Sequence, residues 1–454
     1  MTEKRSFDAI FVGGGVIGLS CAWRAARRGA RVAVLDQAEP PAGATRVAAG
    51  MLAPVGELAF GEPALLEMTL ASAALYPDFV AELEAATGET TGYARQGALH
   101  IALDRDEAAE LRRVHDLQRS LGLEAEWLPP RRCRELEPGL TPSFNGGVHA
   151  AGEAAVDPRA LTRALLAALG SEGADVQTED GVQAVTEVGS EPEGPAHAMV
   201  RTGTEVVAGL YEGERLAGVR TAAGEEFSAD AVVLAAGAWS GRADWLPEHA
   251  RPSVRPVKGQ VIELRSRDGA PPCERIVASE RVYLVPRDDG RLIVGATSEE
   301  QGFDTAVTAG GVHELLREAY RLLPDVAEME LVDSMAGLRP GTPDNVPLIG
   351  PGAIEGLVLA TGHYRNGILL APLTADAIAA VLASEPLPEA AAPAHPARLS
   401  LVAQRANKDK RTAENPRESP ASPEAPDRAA ELAARGAALA EAAEAAERAA
   451  EESR

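Results

Sequence analysis

Apolar runs and polar breaks divide the first third of the chain into alternating elements. Residues 7–12 (FDAIFV) form a continuous apolar run of strand length, and residues 31–36 (RVAVLD) form a second. Between them, residues 16–28 place small and apolar side chains at helical spacing and end at Gly29. Two wholly apolar strands joined by a helix predict a parallel βαβ unit. Residues 45–55 are rich in small side chains and read as a loop. Helical spacing returns over 62–87 and 105–121, while 92–103 alternates like a strand. Residues 157–170 read as a helix with Asp157 as N-cap, Pro158 at the first position and Gly170 at the close.

Short strands are expected around 174–188, then an exposed insertion rich in Gly, Glu and Pro at 189–200. Strands follow at 216–220 and 231–236, then a strand-rich region over 252–298 with a turn at Arg287–Gly290. A helix is expected at 310–322, strands at 331–339 and 357–361, and a helix at 366–382. From 384 to 427 Pro, Ala and charge dominate, with few large apolar side chains to offset chain entropy, so a disordered linker is expected. Residues 428–454 form an Ala/Glu-rich tail of high helix propensity.

Composition narrows the function. A formal charge of -24 disfavours nucleic acid and anionic membranes as partners. A small anionic substrate would then need a local cation, which draws attention to arginines on apolar strands. Cys21, Cys133 and Cys273 are widely spaced, indicating neither a disulfide framework nor a metal site, and hence a reducing compartment. The N-terminus runs directly into a strand, and no uninterrupted apolar run reaches the ~18 residues of a membrane span. The expectation is a cytoplasmic protein without membrane contact.

The turn after the first strand reads Gly13-Gly14-Gly15-Val16-Ile17-Gly18, which satisfies GxGxxG between a strand and a helix. Gly13 permits the turn, Gly15 lets backbone approach a pyrophosphate, and Gly18 lets the helix pack on the strand. Asp36 ends the second strand, where a carboxylate accepts hydrogen bonds from ribose hydroxyls. This context predicts dinucleotide binding; the plainer alternative is a glycine turn needed for packing alone. Two distant segments favour a flavin. Residues 232–240 (VVLAAGAWS) end a strand in small residues including Gly237. Residues 357–371 give strand, Gly362 and then a helix, whose N-terminus would stabilise charge developing on a reduced flavin.

Together with ATRVAAGMLAP, RPVKGQ, VYLVPRDDGRLIVGAT, AGLRPGTPDNVPLIG and ATGHYRNGILLAPLTA, these segments resemble the D-amino-acid-oxidase family of FAD enzymes. Within that family the chain looks most like the glycine oxidases of thiamine biosynthesis. The resemblance covers residues 7–383 and implies an α/β fold. A Rossmann-like FAD-binding domain would comprise 7–88, 142–252 and 340–383, with a mostly antiparallel sheet substrate domain from 89–141 and 253–339. It implies noncovalent FAD and hydride transfer from glycine, sarcosine or small D-amino acids to flavin N5. Oxygen would be the acceptor, with glyoxylate, ammonia and hydrogen peroxide as products. It also implies a homotetramer that hands glycine imine to a thiazole-forming enzyme. A quinone-linked D-amino-acid dehydrogenase of the same fold and a sarcosine oxidase, separated by substrate preference, are alternatives, and a flavin-binding scaffold recruiting a partner through its tail is a third.

The implied cofactor contacts are Gly13, Gly15, Val16, Ile17, Gly18, Asp36, Gln37, Ala44, Thr45, Ala49, Gly50, Met51, Val182 and Gly237, and the run His363, Tyr364, Arg365, Asn366, Gly367, Ile368 and Leu369. Arg339, at the end of an apolar strand, matches the arginine that pairs with the substrate carboxylate; its alternative is a salt bridge to Asp333 or Asp344. Tyr283 matches an active-site tyrosine and Arg365 a second arginine near substrate. Met51 and Ala53 match a small apolar segment against the flavin ring. Arg281 stands where some members carry histidine, and His363 is the single candidate for covalent flavin attachment. The neutral amine is the reactive form, so no protein base is strictly required, and no His–Asp pair or carboxylate dyad stands out in the sequence.

Overall fold

A computed structural model describes residues 5–171, 175–177 and 198–399. Its frame is a nine-stranded sheet beside an eight-stranded one. In the first sheet Arg5–Val12 lies between Val32–Leu35 and Glu226–Leu234, parallel to both. Ala198–Arg201 and Asp175–Gln177 extend it in parallel on one side, and Leu357–Thr361 pairs in parallel with Glu226–Leu234 on the other. Every residue of Val32–Leu35 is buried, as a strand covered on both faces requires. Four helices cover one face: Val16–Arg27, Pro63–Thr87, Pro158–Ser171 and Ala371–Leu382. Trp23 meets Phe79 edge-on at 5.2 Å in that layer.

The second sheet runs in the order Glu330–Gly341, Arg255–Arg265, Arg291–Gly295, Tyr283–Pro286, Ile276–Ala278, Ala98–Ile101, Gly147–Ala150 and Glu126–Leu128. All its pairs are antiparallel except Ile276–Ala278 with Ala98–Ile101. One face packs on the helix Ala309–Leu322. The other packs on the segment from Val47 to Met51. The strand Gly147–Ala150 therefore belongs to this sheet, although a boundary at 142 would assign it to the nucleotide-binding part.

Several expectations are corrected. The 45–55 segment is not all loop: it holds the end of a short helix, Gly43–Val47, and the strand Met51–Leu52. Residues 198–200, expected in an exposed insertion, are buried strand between two parallel neighbours. The helix expected from 366 starts at Ala371, because Tyr364 at φ 48° turns the chain and Pro372 suits only a helix start. Pro63–Thr87 does have the length and apolarity of a membrane span, but it packs among the core helices and 44% of its apolar window is buried inside the protein. Residues 385–399 do not begin a disordered linker. Ala391 and Ala394 are fully buried, and Arg398 pairs with Asp344 at 2.9 Å. Val182 and the tail from 400 onward lie outside the described residues.

Candidate functional site

A cavity of about 740 Å³ opens between the two sheets. At one end it is lined by Gly13, Gly15, Val16 and Ile17 of the glycine turn, by Asp36 and Gln37, and by Ala44 and Thr45. The glycines are sterically required. A Cβ at Gly13 would meet the Ala235 backbone, and one at Gly18 would overlap the Gly13 carbonyl. Gly18 does not line the cavity; it sets the helix against the turn. Thr45 Oγ1 accepts from the Val16 N–H at 3.1 Å, at the N-terminus of the helix. Asp36 accepts from the N–H groups of Gly14 at 2.5 Å and Ala38 at 2.8 Å. Burial pushes its carboxyl upward, while those two N–H groups act in the opposite direction. An exposed helix start, close backbone and an acid at the strand end fit the ADP half of a dinucleotide. Trp239, Arg242 and Trp245 also line the cavity, and Arg242 stacks on Phe303 at 3.8 Å. They had no spacing signal beyond the AAGAWS segment.

The middle is walled by Ala49, Gly50, Met51 and Gly237 and by the turn His363, Tyr364, Arg365, Gly367 and Ile368. That turn, rather than a helix N-terminus, faces the cavity. Ala53, Asn366 and Leu369 do not line it. Ala53 follows the short strand into a second, small pocket beside Leu65, Leu66 and Asn366. Leu369 is buried among the core helices, and its carbonyl accepts from Ser72. His363 Nε2 is hydrogen-bonded to Thr374 Oγ1 at 2.9 Å, and burial lowers its pKa to about 3. The imidazole is therefore neutral and engaged with a hydroxyl. Beneath Ala49 the buried Arg287 donates to its carbonyl; burial lowers the Arg287 pKa to about 10. Arg291 beside it holds Asp157 at 2.7 Å.

The far end gathers Tyr283, Arg339, Arg365, Glu57 and His100. Arg339 lies on the edge strand Glu330–Gly341, and Tyr283 starts the strand Tyr283–Pro286. Neither carboxylate alternative for Arg339 is realised: Asp344 pairs with Arg398, and Asp333 lies 3.7 Å from Arg46. The guanidinium donates to the carbonyls of Thr297 at 3.1 Å and Lys258 at 3.4 Å, is hydrogen-bonded to the Tyr283 side chain, and lines the cavity. Burial raises the Tyr283 pKa to about 12, with the Arg339 charge opposing, so the hydroxyl stays protonated. Two glycines make room: a Cβ at Gly259 would overlap the Arg339 guanidinium, and one at Gly295 would overlap the Tyr283 hydroxyl. Arg365 pairs with Glu62 at 3.2 Å and donates to the Glu57 carbonyl at 3.3 Å. Arg281 is exposed on the cavity rim.

Sequence reasoning missed Glu57, His100, Gly259 and Gly295, which come together only through the tertiary fold. A site with one end suited to a nucleotide and the other to a small carboxylate can hold a redox dinucleotide against an amino acid.

Comparison with known proteins agrees with this arrangement. The sequence pattern of the family described as "DAO: FAD dependent oxidoreductase" matches residues 8–381. The chain is 35% identical over 379 residues to a glycine oxidase of Geobacillus kaustophilus, covering 82% of this chain and 92% of that protein. It is 37% identical over 376 residues to the bifunctional protein ThiO/ThiG of Trichormus variabilis, covering 82% of this chain but spanning about half (52%) of that relative. The crystal structure of the Geobacillus kaustophilus glycine oxidase superposes with a TM-score of 0.75 at 33% identity, covering 87% of this chain and 99% of that one. The chain is an enzyme that belongs to the FAD-dependent oxidoreductases of the DAO family.

Proposed function

We propose that this enzyme oxidises glycine, and with it sarcosine or small D-amino acids, giving glyoxylate, ammonia and hydrogen peroxide with oxygen as acceptor. The observation that carries this reading is Arg339: a half-buried guanidinium lining the cavity, held by the backbone carbonyls of Lys258 and Thr297 and by the Tyr283 side chain, with no carboxylate in salt-bridge contact among the described residues. A half-buried guanidinium with no carboxylate in direct contact is satisfied by a bound carboxylate, through two parallel charge-assisted hydrogen bonds. Tyr283, protonated at neutral pH, donates to the same carboxylate, and Arg365 adds a second positive charge at that end.

FAD, when bound, supplies the two-electron acceptor that takes a hydride from the substrate α-carbon. The protein's part is orientation and exclusion of water. Arg339 and Tyr283 fix the carboxylate, and Met51 narrows the space beside the α-carbon, which favours substrates with little or no side chain. Such positioning contributes on the order of 7–11 kcal/mol in favourable cases.

The identities to glycine oxidases and to ThiO/ThiG proteins support a place before thiazole formation, with the imine as the transferred product. We place the enzyme in the cytoplasm as a homo-oligomer. The test is hydrogen peroxide release by the FAD-loaded protein with glycine, sarcosine and D-alanine in parallel. Glycine at least as good as the others supports the reading. Flavin bleaching by D-alanine under anaerobic conditions without peroxide in air would replace it with a dehydrogenase.

A further inference from the structure

The cationic end of the cavity has an acidic counterpart whose backbone is held at three successive residues. Gln118 Nε2 donates to the Val55 carbonyl at 2.9 Å. The buried carboxylate of Glu153 accepts from the Gly56 N–H. Arg365 donates to the Glu57 carbonyl at 3.3 Å. Gly56 has no alternative: a Cβ there would overlap the His100 imidazole, and it would stand 2.9 Å from Glu153. His100 Nε2 lies 3.7 Å from Glu153 Oε2, and both atoms are buried without a hydrogen-bond partner among the described residues. A side chain only 1% exposed keeps a carboxylate in such a place when its structural return is large. Here the return is the fixed position of the Gly56–Glu57 backbone, with His100 as a neighbouring charge partner when protonated.

The Glu57 side chain lines the cavity in the same end as Arg339 and Tyr283. An α-amino acid presents its amine one carbon away from its carboxylate. A carboxylate held at Arg339 therefore puts the ammonium in this end of the cavity, where two acids line the wall: Glu280, exposed on the rim, and Glu57, which interacts with Arg339, Arg365 and Tyr283. We propose that Glu57 is the amine-side group of the site, binding the substrate ammonium and accepting its proton, and that Gln118, Glu153 and His100 are positioning residues for it. This rests on the amino-acid-oxidising reading above. In the step, one N–H bond of the ammonium breaks and an O–H bond forms on Glu57. The electron pair stays on nitrogen, where it stabilises the iminium that forms as the α-carbon loses hydride.

The groups facing Glu57 are Arg365 from the turn, Arg339 from the edge strand, His100 from Ala98–Ile101, Glu153 from the turn after Gly147–Ala150 and Tyr283 across the cavity. Burial pushes the Glu57 carboxyl upward, and of its neighbours Arg365 opposes this most while Glu153 adds to it. A carboxyl raised in this way is a stronger base toward an ammonium than an exposed one.

The test is anaerobic flavin reduction by glycine across pH in the FAD-loaded parent, Glu57→Gln and Glu153→Gln, with acetate binding measured by calorimetry on the same proteins. Acetate has the carboxylate and no amine. The expected result for Glu57→Gln is reduction slowed at least 10-fold at neutral pH and recovering as alkaline pH deprotonates the free amine, with acetate binding changed less than 3-fold. Glu153→Gln is expected to shift the same profile partway, and Glu57→Asp to restore part of the neutral-pH rate. A Glu57→Gln profile matching the parent overturns the proposal. So does loss of acetate binding in step with the rate, which would make Glu57 a support of the whole pocket. A parent enzyme that no amino acid reduces overturns instead the substrate reading on which the proposal stands.

Discussion

Arg339 and Tyr283 occupy space that two glycines leave open, and this makes each replaceable in a controlled way. Truncating Arg339→Ala removes charge-assisted hydrogen bonding of about 1.5–3 kcal/mol to a carboxylate, so kcat/KM for glycine should fall about 10- to 150-fold. Arg339→Lys keeps the charge without the planar fork and should fall between the two. Steady-state peroxide release reads both. Gly295→Ala tests the same site from behind: its Cβ overlaps the Tyr283 hydroxyl, so the ring must move. Activity should drop at least 10-fold while FAD content of the purified protein stays at the parent level, because Gly295 sits at the carboxylate end and away from the glycine turn. The cavity positions of Arg339, Tyr283 and Arg365 were legible because the segments AGLRPGT, VYLVP and HYRNG resemble those of the family. Glu57, His100 and Glu153 were not, since three separate segments converge on Gly56 and no local spacing announces it. Ala53 was expected at the cavity because its segment resembles the family's; here the chain turns after Leu52 and carries Ala53 toward Leu65 and Leu66.

At the scale of elements, Asp157 joins a helix start to the second sheet. Its carboxylate accepts from the N–H groups of Arg159 at 2.9 Å and Ala160 at 3.3 Å, as an N-cap, and pairs with Arg291 at 2.7 Å. Burial alone would raise its pKa, but the Arg291 hydrogen bond and the charges of Arg287 and Arg291 hold it below the usual carboxylate range. A carboxyl depressed in the folded state contributes stability that is present above its unfolded pKa of ~3.9 and is lost as pH falls through the folded value. Asp157→Asn should therefore destabilise the protein by about 3 kcal/mol at neutral pH and flatten the fall in stability between about pH 4 and the acid limb. Urea melts at a series of pH values check both. The helices were readable from apolar spacing and caps, Asp157 among them. The strand Ala198–Arg201 was not, because four residues following a stretch rich in Gly, Glu and Pro give no alternation to recognise. Its identity is set by the parallel neighbours that bury it.

For the whole molecule, the question is where the folded unit ends. Low apolar content suggested an end at 384, yet the chain continues across the core in small residues. Ala391 and Ala394 bury completely, and Leu387 and Ala390 pack beside them against the helical layer. Alanine carries little weight in a composition argument, but where backbone passes close to a helix it is the side chain that fits. Arg398 then closes the edge, donating to Asp344 at 2.9 Å and to the carbonyl of Pro347 at 2.8 Å. Asp344 and Pro347 belong to the connection between the Arg339 strand and the strand Leu348–Pro351, so this segment ties the chain end to the connection that follows the Arg339 strand. A chain ending after Leu399 and one ending after Ser384 should differ on these grounds. Charge-assisted hydrogen bonds contribute about 1.5–3 kcal/mol, and the buried alanines add to that, so the shorter chain should lose on the order of 2–4 kcal/mol. A lower urea midpoint and a raised KM for glycine are expected for the shorter chain, with the longer one as reference. Equal midpoints for the two would mean that residues 385–399 merely rest on the surface and that the folded unit does end where composition first placed it.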